Sequence, residues 1–307
     1  MDGMDNQAEV RDFLRTRRDR ITPEQAGIVA GGRRRLPGLR REEVAMLAGM
    51  SIDYYAKMER GNLAGVSPEV LDALARALRL DEAETEHLHD LARAANPSRR
   101  QRRSRPAPAT IRPSLQCFLD AITAAPAWIV DQRAEILATN PLARALLAPL
   151  LEDPDARSNS ARFVFLSPAA RTFYPQWEHA ADASAANLRT AAGRNPRDKL
   201  LTDLIGELAA RSDAFSSRWS AHDVRLHRTG TKHIHHPDVG DLEFVYEGVE
   251  LPDHPGWMMY VYTSAAGSPT EERVKLLGSL AATAADKLAA TAADKQAAAP
   301  ALRPDDM

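Results

Sequence analysis

Two groups of residues in this chain have the types and spacing to do chemistry. One is a run of histidines, His222, His227, His233, His235 and His236, interspersed with Asp223 and Asp238. Imidazoles beside a carboxylate suit zinc, and His233 and His235 would share one strand face. However, His236-Pro237 begins a turn, and nothing in the sequence brings His222 close to the others. We therefore read them as hydrogen-bonded structural histidines and expect no metal site. A catalyst also needs a nucleophile, a positioned base and a group to meet developing charge. The chain has no Gly-rich phosphate loop, nucleophile elbow or His-x-x-x-His pair, so the expectation is a protein that is not an enzyme.

The other group is a set of cations around a helical hairpin, Arg40–Asn62, RREEVAMLAGMSIDYYAKMERGN. Glu42 and Glu43 fall in a first helical turn, where negative charge suits the positive end of the helix dipole. Val44, Leu47 and Ala48 follow at i, i+3, i+4 spacing and make one apolar face. Gly49 can adopt the left-handed conformation that stops this helix, and Ser51 is a good N-cap for the next. Tyr54 or Tyr55 and Met58 return an apolar face, and small Ala45 lets the two helices approach. With Arg40, Arg41, Lys57 and Arg60 flanking it, the window has the form of a helix-turn-helix, whose second helix enters a DNA major groove. An ordinary helical hairpin in a larger core is the competing reading. A protein–protein adaptor would use the same module without salt-sensitive DNA binding.

The elements around this hairpin complete an all-α unit. A helix over 7–20 carries Val10, Phe13 and Leu14 on one face and arginines on the other. Gly27–Gly38 is an irregular, Gly-rich insertion holding Arg33, Arg34 and Arg35, which serve either as phosphate contacts or as a solvated loop. Ser67-Pro68-Glu69 opens a further helix, and Asp81 caps a last one through Ala95. Residues 1–95 thus form a five-helix domain. Residues 96–112, rich in Arg and Pro, form an extended linker or an additional basic contact. Residues 1–112 hold 21 Lys/Arg against 17 Asp/Glu, whereas 113–307 hold 19 against 25. That basic front and acidic back suit a nucleic-acid module joined to one that does not touch nucleic acid.

The second unit, 113–268, alternates short strands and helices. Ala127–Val130 and Glu135–Ala138 read as paired strands, Asn140-Pro141 opens a helix, and 169–222 is helical. Three strands are expected at Val224–His227 with a turn at Gly230, at Leu242–Val249 and at Trp257–Thr263. Helices on one antiparallel sheet make an α+β domain. Trp128, Trp177, Trp219 and Tyr246 are among the aromatics gathered here, as core or as the walls of a cavity. Residues 269–307, with the near-repeat AATAADK, are expected to be an Ala-rich tail, largely disordered or a fraying helix. The single cysteine, Cys117, excludes an internal disulfide framework and a Cys-based zinc finger and fits a reducing compartment. With no apolar run of the ~20 residues a membrane span requires, a cytoplasmic location is expected, nucleoid-associated when DNA is bound.

The stretch RRRLPGLRREEVAMLAGMSIDYYAKMERG resembles the lambda-repressor-like, XRE-type helix-turn-helix class. With AWIVDQRAEILATNPLARALL, FVFLSPAARTFYPQWEHAA and HHPDVGDLEFVYEGVEL, the chain resembles the MmyB-like actinobacterial regulators. These join such a helix-turn-helix to a C-terminal PAS-like ligand-binding domain. The resemblance implies DNA contacts at Arg40, Arg41, Ser51, Ile52, Asp53, Lys57 and Arg60. Among these, Lys57 or Arg60 would read guanine, Arg41 would meet phosphate, and Asp53 would accept from cytosine or serve as a cap. It also implies a homodimer on a near-palindromic operator, and a pocket for an acyl or other apolar ligand such as a fatty acid, with no other cofactor. Candidate ligand contacts are Trp128, Arg171, Trp177, Arg218, Trp219, His222 and Tyr246, with Arg171, Arg218 or His222 placed to hold a carboxylate. Two alternatives stand beside this: a C-terminal domain used only for dimerisation or protein recruitment, and a metal-dependent or hydrolytic enzyme.

Overall fold

The computed structural model describes residues 6–28, 37–96, 111–221 and 229–297, with side chains of the final helix described to residue 283. The N-terminal body comprises α1 (Asn6–Arg20), α2 (Arg41–Leu47), α3 (Ile52–Glu59), α4 (Pro68–Ala77) and α5 (Glu82–Ala95). Local chemistry starts these helices. The Ser51 hydroxyl accepts from the Tyr54 N–H at 3.2 Å to open α3, and Pro68 begins α4. Asp81 and Glu84 exchange two bonds, Glu84 N–H to Asp81 at 2.8 Å and Asp81 N–H to Glu84 at 3.1 Å, closing a capping box on α5. Phe13, Leu14, Val44, Tyr55, Met58 and Leu74 meet in one buried cluster. Such packing, more than propensity, keeps helices this short formed.

The second body follows as α6 (Pro113–Asp120), β1 (Ala127–Val130), β2 (Ile136–Thr139), α7 (Pro141–Leu146), α8 (Ala148–Leu151), α9 (Ser160–Leu166) and α10 (Ala170–Phe173). Then come α11 (Trp177–Arg194), α12 (Lys199–Arg211), α13 (Asp213–Ser220), β3 (Thr229–His236), β4 (Gly240–Glu250), β5 (Met258–Thr263) and α14 (Pro269–Ala297). The five strands form one antiparallel sheet in the order β2-β1-β5-β4-β3. This is the α+β, PAS-like domain anticipated from the sequence. Side chains alternate across the sheet. Trp128, Ile234, Phe244, Tyr246 and Tyr262 join the core that also holds residues of α7 to α11. On the opposite face, Ile129, Ala138 and Met259 pack with Leu119 of α6. Asn140 ties the β2–α7 corner, donating to Ile122 and Ala125 carbonyls at 2.7 and 2.8 Å and accepting from Ala127 N–H at 3.1 Å.

Two expectations need correction. The strand expected at Val224–His227 lies outside the described residues; the turn expected at Gly230 is what needs correction, since β3 runs through Gly230, which pairs with Tyr246. The turn lies after His236, where Gly240 takes φ +78°. β3 was obscured because Thr231, Lys232, His233 and His235 give it little apolar signal; only Ile234 buries an aliphatic side chain. The second correction concerns the tail, whose first turns are neither disordered nor fraying. Pro269–Ala297 is helical, and Val274 and Leu277 enter the core at 5% and 3% exposure. A short apolar pair at i, i+3 suffices to seat the start of this helix on α7 and β4. Leu277→Ala is therefore expected to destabilise the protein by about 2–5 kcal/mol in urea denaturation. Leu276→Ala, at a neighbouring exposed position, should stay within about 0.5 kcal/mol of the parent.

Candidate functional site

The helix-turn-helix forms at the expected residues, with one correction: Leu47, expected on the apolar face of α2 beside Val44 and Ala48, is 38% exposed, and Ala45 is buried with Val44 instead. Gly49 takes φ +66°, and the chain re-enters with Met50 N–H donating to the Ala45 carbonyl at 2.9 Å. Ala45, Tyr55 and Met58 are buried between the helices. The opposite face of α3 is open: Ile52 is 51% exposed, and Asp53, Lys57 and Arg60 are exposed with it. An exposed isoleucine on a short helix between cations is an apolar contact surface, not core. Asp53 is a first-turn acid; the cap is Ser51.

Beneath this face lies a residue that the sequence reading did not single out. Glu59 is 3% exposed and receives the Arg18 Nε–H at 2.6 Å and the Arg41 Nε–H on its two oxygens. Arg18 also donates to the Leu39 carbonyl at 2.8 Å, so one guanidinium links α1, the segment before α2 and the end of α3. Burial alone would raise the Glu59 pKa. The hydrogen bonds and charges of Arg18 and Arg41 outweigh it and hold the carboxyl below its usual range. Arg41, expected only as a phosphate contact, is thus aimed by a buried carboxylate while its side chain stays 58% exposed. Arg40 is exposed at the start of α2, 3.3 Å from Glu42.

The second body holds a cavity of about 200 Å³ between the sheet and α11, partly open to solvent. Trp128, Val130, Met258, Tyr260 and Tyr262 line it from β1 and β5, Val164 and Tyr174 from the helical side, and Ala180, Ala183 and Asn187 from α11. Burial raises the pKa of Tyr174, Tyr260 and Tyr262, keeping all three as neutral hydroxyls. Four ionisable lining residues differ in how they are held. Asp131 accepts from the N–H groups of Arg133 and Glu135 at 2.8 and 3.0 Å. Glu250 accepts from Gly256 N–H at 2.9 Å. Arg194 reaches Glu86 and Asp90 at 2.5 and 2.9 Å. Lys232, from β3, places its ammonium 4.7 Å from the centre of the Tyr174 ring. Burial pulls its pKa down to about 8.

Of the seven ligand contacts expected from the sequence, Trp128 lines the cavity. Arg171 instead stacks on Trp177 at 3.9 Å. Arg218 is held by Glu178 and by Asp182, the latter at 2.7 Å. Both arginines are thereby occupied outside the cavity. Trp177 is core, donating its indole N–H to the Val164 carbonyl at 2.9 Å. Trp219 carries the Arg189 guanidinium 3.9 Å from its ring, and Tyr246 packs against Tyr260 and Tyr262 in the core. His222 lies outside the described residues. Lys232 is not among the ligand contacts expected from the sequence, because the expected turn at Gly230 hides the pairing of β3 with β4; its signal is a lone lysine two residues from Ile234 on the same strand face. Among the described residues no cluster of three or more metal-ligating side chains occurs, and no helix is long and apolar enough to cross a membrane.

An exposed recognition helix on one body and an apolar cavity in the other define a two-domain regulator architecture. Residues 9–88 match the helix-turn-helix domain family, and residues 111–277 match the MmyB-like transcription regulator ligand binding domain. The chain belongs to the MmyB-like transcription regulators: a DNA-binding protein with a ligand-binding domain. No curated protein matches it.

Lys232 sets a pH signature. Its folded pKa of about 8 lies below the unfolded value of ~10.4, so between these values the unfolded chain binds more protons and stability rises with pH. Below pH 8 the full penalty of the buried cation is present. Lys232→Met should therefore be more stable than the parent at pH 7, and its advantage should shrink between pH 8 and 10 in a series of thermal melts.

Proposed function

We propose that this chain is a non-enzymatic, sequence-specific transcriptional regulator whose pocket takes a narrow, fatty-acid-like molecule. The observation that supports DNA reading is the division of α3 into a locked inner face and an open outer face. Tyr55 and Met58 are buried, while Ile52, Asp53, Lys57 and Arg60 are exposed. In this reading Ile52 meets a thymine methyl, and Lys57 or Arg60 contacts guanine O6 and N7. Arg40, Arg41 and the Ser51 N–H meet phosphates, which position the helix without specifying sequence. The protein acts in the cytoplasm as a homodimer on a near-palindromic operator, the two recognition helices set about one helical turn apart or a multiple of it.

The ligand reading rests on the cavity walls. Aromatic and aliphatic side chains surround a space too small for a bulky metabolite, and pockets for drug-sized molecules begin at about 300 Å³. A thin acyl chain suits such a space, and each CH₂ it buries contributes about 0.8 kcal/mol. Of the cations in the lining, Arg194 is taken by two carboxylates, whereas Lys232 meets the Tyr174 face. Lys232 is therefore the head-group partner for a carboxylate, in place of Arg171, Arg218 or His222. A bound carboxylate would keep Lys232 charged and remove its penalty. Cytoplasmic action and the lack of catalysis follow from this regulatory role.

Two measurements check the reading. Lys57→Ala should lose preference for operator over random DNA by about 1–3 kcal/mol, whereas Arg41→Ala should weaken both and reduce the salt slope. Equal losses on the two DNAs for Lys57→Ala would remove its base-reading role. In calorimetric titrations decanoate should bind more tightly than decanol, and Lys232→Met should erase that difference while leaving decanol binding unchanged. An unaltered decanoate preference in Lys232→Met would place the head group elsewhere.

A further inference from the structure

α11 separates the cavity from the DNA-binding body and touches both. Ala180, Ala183, Asn187 and Ala191 face the cavity. Arg189 and Gly193, one turn apart on the other side, face α1 and α5. Arg189 is 1% exposed and donates to Glu9 of α1 at 2.5 Å and to the Trp219 carbonyl. Gly193 lies so close to α5 that a Cβ there would overlap the His87 ring. Arg194 belongs to both sides. It lines the cavity, and its guanidinium reaches Glu86 at 2.5 Å and Asp90 at 2.9 Å, both on α5. Asp90 is 2% exposed, so this grip is fixed inside the contact between the bodies.

A cavity wall that ends in a residue held by the other body is complete only while the two are docked. We propose that Glu86 and Asp90 of the DNA-binding body are positioning residues for the ligand pocket. They hold Arg194, and with it the last turn of α11, in the place that completes the cavity wall. Pocket occupancy and docking of α5 on α11 then favour one another, because a coupling between two equilibria is reciprocal. Neither acid touches ligand, and their effect on it passes through Arg194. The inference rests on the cavity being the ligand pocket.

The test uses the full-length chain with Glu86→Gln and with Glu86→Gln/Asp90→Asn, amides that keep shape and remove the charge gripping Arg194. Decanoate and decanol affinities are measured by calorimetry, and amide hydrogen exchange of residues 82–95 is followed with and without decanoate. In the parent, decanoate should slow exchange in α5, a helix that lines no part of the cavity. The variants should bind both probes about fivefold or more weakly, a typical coupling factor, and should lose the ligand-dependent protection of α5. If the double variant does not fold, Glu86→Gln alone carries the test, since that side chain is 29% exposed. A structural defect alone would lower stability and leave the affinities of the folded fraction unchanged. Parent-level affinities in the variants, or α5 exchange indifferent to decanoate in the parent, would overturn the proposal while the pocket reading stands. Failure of the parent to bind either probe would remove the pocket reading and the proposal together.

Discussion

A helix packed on three sides must be thin, and that constraint shapes the whole molecule. α11 carries seven alanines and one glycine among its 18 residues. Its alanines approach α9 and α12 on one side and border the cavity on another, while Gly193 admits the His87 ring on the third. Alanine and glycine leave little for the hydrophobic effect per residue. Apart from its own Trp177 and Leu188, the helix is held by larger side chains reaching in from its neighbours, such as Leu201, Leu204 and Phe215. Its own long side chains, Arg189 and Arg194, extend out to the DNA-binding body. Close packing of this kind transmits displacement, because dense interiors are poorly compressible.

Charge placement follows the same division of labour. Arg189 with Glu9, and Glu59 with Arg18 and Arg41, are ion pairs in which at least one partner is buried, and each joins elements distant in sequence. Such pairs contribute less net stability than their short distances suggest, since desolvation offsets the attraction. They do penalise any arrangement that would leave one member buried alone. Glu59 therefore specifies how α1, α2 and α3 meet, and Arg189 how α11 meets α1.

Local sequence carried much of this architecture. Gly49 and Ser51 mark the turn and cap of the helix-turn-helix, and Asn140-Pro141 marks the β2–α7 corner, because each acts within a few residues. The five helices and the α+β class could be read from apolar periodicity for the same reason. The candidate ligand site was far less legible. Arg171 and Arg218 have the right chemistry, but whether a guanidinium is free or taken depends on partners such as Trp177, Glu178 and Asp182 and on tertiary placement. Lys232 sits on a polar edge strand whose single buried aliphatic residue, Ile234, gives no periodic signal. Glu59 carries no local signal, since its arginines come from 18 and 41 residues away.

The two faces of α3 also bear on how a regulator of this kind can change. The residues that anchor the helix, Tyr55, Met58 and Glu59, are buried, whereas Ile52, Asp53, Lys57 and Arg60 stand on its outer surface. Substitutions at exposed positions away from caps and ion pairs usually leave stability within about 0.5 kcal/mol. That outer surface can therefore change while the scaffold stays intact, whereas Glu86 and Asp90 of α5 cannot be exchanged without loosening their grip on Arg194.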